Sequence, residues 1–181
     1  MRRLTTFLRE RRGAAAIEFA FILPLVLLVY VASQDVALAF SFQRKLDNCA
    51  ANLADLTAQL TSLSRSEVAK VLDVRYPILA PFDDKRLGAR LSVVTLDAAG
   101  KSSIAWSIAP AGSILAARTK GSAMDLPKEM VESGETSFIF AETSYRYDYV
   151  LGGFGLTGSL DLAATSYARS RGRALPSCTD C

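Results

Sequence analysis

One stretch restricts this chain more than any other: Arg11-Arg12-Gly13-Ala14-Ala15-Ala16-Ile17-Glu18-Phe19-Ala20-Phe21-Ile22-Leu23-Pro24. A basic segment stops at a glycine and an apolar run begins. Residues 14–33 are apolar or small except for Glu18, and a helix needs about 20 such residues to cross a bilayer core. An acidic residue near the centre of a membrane helix costs roughly 2.5–3.5 kcal/mol, less near its end. Packing does not explain a carboxylate at Glu18, so its default reading is a functional group with a partner. Five arginines stand against one glutamate in residues 1–13. Positive residues beside an apolar span stay in the cytoplasm, which places the chain beyond the span on the far side of the membrane. Pro24 removes one backbone hydrogen bond and is expected to kink or loosen the helix.

Val31-Ala32-Ser33 before Gln34 imitates a secretory cleavage site. Secretory apolar cores run about 7–15 residues. This run is longer and holds a carboxylate near its start, so a retained helix is the better reading.

The helical pattern continues past Ser33, without Gly or Pro until Pro77. Leu46, Cys49, Leu53, Leu56, Leu60 and Leu63 recur three and four apart, which is one apolar helix face. The expected order is a basic leader (1–13), a transmembrane helix (14–33), the same helix outside the membrane (34–63), and an α+β domain (64–181). Ser64-Arg65-Ser66-Glu67 has the spacing of a capping box. The helix it opens is expected to end at Tyr76-Pro77.

The period then changes. Leu91, Val93, Val94 and Leu96 alternate with one slip, as at a bulge. Ile104, Trp106 and Ile108 alternate strictly beyond a Gly100 turn, so the two runs read as a hairpin. Residues 110–135 carry little pattern, with short helical turns expected near 114–118 and 126–131. In the run from Thr136 to Leu151, Ile139, Ala141, Tyr145, Tyr147 and Tyr149 share one face, and Glu142, Ser144, Arg146 and Asp148 the other. Leu160, Leu162 and Ala164 mark a last strand. The expected fold is α+β, a long N-terminal helix whose stripe covers an antiparallel sheet of about four strands.

Chemistry is limited by composition. Histidine is absent, which removes the commonest general base and metal ligand. No Gly-x-Ser-x-Gly and no phosphate-binding Gly-x-x-x-x-Gly-Lys occurs, so no catalytic residue, cofactor or metal site is assigned. The net charge of +3 comes from the N-terminal arginines and offers no face for nucleic acid. Cys49 sits in the apolar stripe as a small core residue. Cys178 and Cys181 form a terminal Cys-x-x-Cys with no second ligand pair to complete a zinc site; outside the cytoplasm, a disulfide between them is the natural reading.

Arg12-Gly13-Ala14-Ala15-Ala16-Ile17-Glu18-Phe19-Ala20, with Leu23-Pro24 after it, resembles the TadE-type pseudopilins of the tight-adherence (Flp pilus) secretion system. The resemblance is close over about the first 30 residues. It implies processing after Gly13 by a prepilin peptidase that recognises Arg11, Arg12 and Phe19, where the family often has Tyr at the last position. It further implies a register role for Glu18, opposite the new amine of Ala14 on a neighbouring subunit. The implied partners are that peptidase, other pseudopilins, the major Flp pilin, the inner-membrane assembly platform and the lipid bilayer. The resemblance implies a minor TadE- or TadF-like subunit that supports pilus assembly and surface attachment. The competing expectation is a single-span membrane protein whose outer domain binds a ligand or partner.

Overall fold

The computed structural model describes residues 12–81, 83–97, 99–131, 137–149, 158–170, 176–178 and 180–181. A single helix, α1 (Arg12–Ala58), runs for 47 residues with Pro24 inside it, which is about 70 Å at 1.5 Å per residue. Its two halves differ in what they touch. From Ala15 to Tyr30 every side chain is exposed. From Phe42 onward one face is buried, through Phe42, Leu46, Cys49, Ala50, Leu53, Ala54, Thr57 and Ala58. Alanines beside the larger residues let the helix approach the sheet closely.

The helix stops at Ala58, short of the expected 63. The Leu60 amide closes a turn on the Thr57 carbonyl, and Ser62–Leu63 leave the helix as a two-residue strand, β1. Leu56 is consequently half-buried and Leu60 is 38% exposed, so the stripe ends earlier than its spacing implies. What ends it is tertiary: β1 pairs in parallel with a strand from the C-terminal tail.

The capping box is formed as expected. The Ser64 amide donates to Glu67 Oε2 at 2.7 Å, and the Glu67 amide donates to Ser64 Oγ at 3.3 Å, opening α2 (Arg65–Asp73). That helix ends at Asp73, before Tyr76-Pro77. Pro77 instead lies in the first turn of a short helix, α3 (Arg75–Leu79). A first-turn N–H has no helical acceptor, so proline costs nothing there.

The main sheet contains β2 (Leu87–Leu96), β3 (Ser102–Ile108), β4 (Ser137–Asp148) and β5 (Ser159–Ala168). Its spatial order is β3-β2-β4-β5, with every pair antiparallel. The hairpin turns at Gly100 with φ +76°, a conformation that favours glycine. The alternation slip appears as a register shift between Val93 and Val94. On β4 the face carrying Ile139, Ala141, Thr143, Tyr145 and Tyr147 is buried. Phe42 of α1 stacks on Tyr145, with ring centroids 4.9 Å apart. Thr143 Oγ1 donates to the Leu46 carbonyl at 3.1 Å in this buried layer.

The opposite face of the sheet is covered by residues 109–131. Met124, Leu126 and Met130 pack over Val94, Ile104, Phe138 and Phe140. Residues 128–131 form a single turn, α4 (Lys128–Val131). The helical turn expected at 114–118 is not formed. That segment is tied to strands instead: the Ala89 amide donates to Ser113 Oγ, and the Arg118 amide donates to Ser107 Oγ. The strap crosses so close that a Cβ at Gly88 would lie 2.8 Å from the Leu115 side chain. The domain is therefore helix, sheet and strap in three layers. The tail strand, β6 (Ser177–Cys178), pairs with β1, and Trp106 Nε1 donates to the Pro176 carbonyl at 2.9 Å.

Replacement of a buried Leu by Ala typically costs about 2–5 kcal/mol, whereas an exposed substitution stays within about 0.5 kcal/mol. Leu53→Ala should destabilise the domain by the larger amount and Leu60→Ala by the smaller, in chemical denaturation of the detergent-solubilised protein. Equal shifts in midpoint would contradict the helix–sheet interface described here.

Candidate functional site

The first turn of α1 contains Arg12, Gly13 and Ala14; Arg11 lies outside the described residues. Gly13 is exposed, and a Cβ built on it meets no atom within 4 Å. Its φ is not positive. Neither space nor backbone conformation therefore requires glycine, although glycine in a helix costs about 1 kcal/mol relative to alanine.

Glu18 sits one turn above Ala14, about 6 Å along the axis. Its side chain is exposed among Ile17, Phe19 and Phe21, which are also exposed. The structure thus brings Gly13, Ala14, Glu18 and Phe19 onto two consecutive turns of one unshielded helix. This helix is long and apolar enough to cross a membrane, and its most apolar 18-residue window is wholly unburied. A helix that is apolar all round and packs on none of the described residues belongs in lipid or against other apolar helices.

Sequence reasoning did not find the polar pair at the other end of the span. Asp35 is buried, and Tyr147 Oη donates to its Oδ1 at 3.2 Å. Burial pushes the Tyr147 phenol above its ordinary range, and the charge and hydrogen bond of Asp35 push it the same way. The available signal was an acid just past the apolar run, together with a strand alternation that turns Tyr147 toward α1.

A second cluster holds the strap to the sheet. Arg90 meets Glu142 in a fork, Nε to Oε2 and Nη2 to Oε1, each at 2.7 Å. Arg118 adds Nη2 to Oε1 at 2.7 Å and Nε to Oε2 at 3.2 Å. Burial acts to raise the Glu142 carboxyl, but the hydrogen bonds and charges of the two arginines outweigh it and hold the group below the ordinary carboxylate range. Two guanidinium groups from different segments meet on this one carboxylate, so the cluster reads as a clamp.

The Sγ atoms of Cys178 and Cys181 are bonded, with their Cα atoms 5.5 Å apart. With Asp180 they form the cysteine–acid group whose ligand atoms could hold a metal. Both thiols are used by the disulfide, and Asp180 Oδ1 accepts the Arg65 amide at 2.6 Å. Cys49 is a buried free thiol. Burial pushes it up to about 11, against a smaller opposing effect of Arg75; a thiol held so far above neutrality is inert.

These features define a class: a membrane-length apolar helix that continues unbroken as the spine of a small α+β domain. Residues 13–55 match the family of TadE-like proteins. The match starts at Gly13 and ends inside the buried stripe of α1, so a TadE-like domain is present over the span and the helical spine. No curated protein and no solved structure matches the chain.

The Glu142 clamp has a pH signature. A carboxyl depressed in the folded state contributes stability above its unfolded pKa, about 4.3, and loses it as pH falls through the folded value. Acidification below about pH 4.3 should therefore weaken the domain. Glu142→Gln should remove about 1.5–3 kcal/mol at neutral pH, the range for hydrogen bonds to charged groups, and flatten the acid limb. Denaturation midpoints from pH 7 to 3 would test this. An unchanged acid limb would rule the clamp out as its source.

Proposed function

We propose that this chain is a TadE-type pseudopilin. It is inserted in the bacterial inner membrane with its N-terminus cytoplasmic and its α+β domain periplasmic, and cut after Gly13 by a prepilin peptidase. It then supports assembly of tight-adherence (Flp) pili and surface attachment. The observation that carries this reading is the glycine at 13. The fold has no use for it, it stands where a basic segment meets the apolar helix, and the TadE-like match begins on it. A peptidase that must approach the backbone closely does have a use for it. The bond between Gly13 and Ala14 lies at the N-terminal end of the described part of α1. Arg11, Arg12 and Phe19 flank the bond as recognition residues.

Cleavage leaves a cationic amine on Ala14. Among packed apolar helices that amine and Glu18 of a neighbouring subunit would form an ion pair, and either charge left alone would be costly. Glu18 thereby sets the register between this subunit and its partners: other pseudopilins, the major Flp pilin and the assembly platform. In the periplasm the Cys178–Cys181 disulfide is the stable state of the tail.

Two substitutions separate processing from assembly. Gly13→Val should leave the full-length form in the membrane by intact mass; mature protein beginning at Ala14 in that variant would sink the proposal. Glu18→Gln should be inserted and cut normally, yet cells carrying only that copy should lose pili. Normal pilus numbers would show that the carboxylate does not set register.

A further inference from the structure

The C-terminal tail returns to the domain through hydrogen bonds clustered around one covalent link. The Ser177 amide donates to the Thr61 carbonyl at 3.3 Å. In the register of β6 on β1, Ser177 stands opposite Ser62 and Cys178 opposite Leu63. Trp106 Nε1 donates to the Pro176 carbonyl, and the Arg65 amide, in the first turn of α2, donates to Asp180 Oδ1. The Cys178–Cys181 bond stands among these ties. We propose that this pair is a thiol–disulfide exchange site that latches the tail. Closed, it holds β6 and Asp180 in place; a dithiol donor opens it and releases them.

Three observations carry it. The first is access. Cys181 is exposed and Cys178 half-buried, so an incoming thiolate reaches Cys181 Sγ first, and exchange depends on such access. The second is placement. The link joins the residue opposite Leu63 to the residue after Asp180, so one bond restrains both the strand and the carboxylate. An anion at a helix N-terminus is favourable, and the closed loop keeps Asp180 at that end of α2. Closing so short a loop removes chain entropy worth on the order of 20-fold in the open–closed equilibrium of the tail. The third is what lies beneath. Leu63 is 2% and Trp106 6% exposed, and Cys178 packs against the same core. Parting β6 from β1 uncovers a strand edge and Trp106, whereas the four strands of the main sheet pair with one another and not with the tail. Opening is thus local, as at the low-stability end of a fold.

In the exchange, a thiolate of the donor attacks Cys181 Sγ. The S–S bond breaks, and Cys178 Sγ leaves with the electron pair and takes a proton. The donor's second thiol gives up its proton and attacks the donor sulfur of the mixed disulfide, releasing Cys181 as a thiol. The donor becomes a disulfide, and the tail gains two electrons and two protons. Cys49 takes no part, being buried in the α1 stripe.

The full chain in detergent, treated with dithiothreitol without denaturant, tests this. Trp106 is the only tryptophan in the chain, so acrylamide quenching reads its release; hydrogen exchange reads residues 61–67, and alkylation with mass mapping locates the thiols. The expected result is alkylation of Cys178 and Cys181 but not Cys49, and stronger quenching of Trp106. Exchange at 61–67 should quicken by on the order of 20-fold, with unchanged circular dichroism and reversal on reoxidation. Untreated chain carrying Cys178→Ser and Cys181→Ser should match the reduced native chain and ignore the reagent. No alkylation at the tail overturns the exchange site. Reduction that leaves quenching and exchange unchanged overturns the latch, and so does a double variant that still responds. Loss of helical dichroism on reduction would make the bond a staple of the whole domain and overturn the proposal as well.

Discussion

The structure depends on one helix remaining continuous between two surroundings. About 70 Å of α1 is apolar on every side at its N-terminal end and on one side at its C-terminal end, and among the described residues no second element joins the two. The joint is made by hydrogen bonds that tie the middle of the helix to the domain at several points. Thr143 of β4 donates to the Leu46 carbonyl, Gln43 donates to the Ala163 carbonyl of β5 at 2.9 Å, and Lys45 donates to the Ala80 carbonyl after α3 at 2.8 Å. Each involves a different element, so the sheet has a fixed rotation and height on the helix. Phe42 adds an aromatic layer to that contact, stacked on Tyr145 and with its ring centroid 5.0 Å from that of Tyr147. Any displacement of the span is therefore passed to the whole domain.

Against that background, residues that serve no contact of their own chain are informative. Most positions of α1 satisfy local propensity and packing together, as foldable sequences do. Gly13 and Glu18 violate helix propensity and apolarity respectively, and neither gains a compensating contact among the described residues. Such local conflicts are expected at functional sites. Leu56 and Leu60 show the opposite case: their spacing looks structural, yet the burial lies elsewhere.

What could be read from the sequence was what is decided within a turn or two of chain. The span, the Ser64–Glu67 capping box, the hairpin with its slip at Val93/Val94 and the two faces of β4 depend on neighbours a few residues away. The end of α1, the course of residues 109–131 and the pairing of β1 with β6 depend on partners far along the chain. Arg90, Arg118 and Glu142 illustrate the limit. Each is ordinary in its own segment, and only the crossing of the strap over β4 and β2 brings them into one cluster. The Asp35–Tyr147 pair was half legible, because alternation orients the tyrosine but nothing local says which turn of α1 it meets. Gly13 and Glu18 were legible for the reverse reason: their meaning lies in breaking a local pattern.

The two acids of the apolar half have a geometric relation that bears on how the subunit would be used. Glu18 and Asp35 are separated by about 25 Å of helix, close to the roughly 30 Å of a bilayer core. In a bilayer-crossing placement with Asp35 and its tyrosine at one interface, Glu18 lies near the other, where its charge reaches water by extending along the helix. In the resident state the carboxylate is therefore tolerable without a protein partner. Moving the helix outward by a few turns changes this. The domain goes with it, because α1 is pinned at Leu46 and its neighbours, and Glu18 enters the core, where a lone charge is costly. Outward movement is then favoured only when a cation travels with the carboxylate; under the proposed processing after Gly13, the Ala14 amine of an adjacent subunit would be such a cation. Under the proposed function, the acid that the membrane tolerates near an interface would also make the departure of the helix conditional on a correctly placed neighbour.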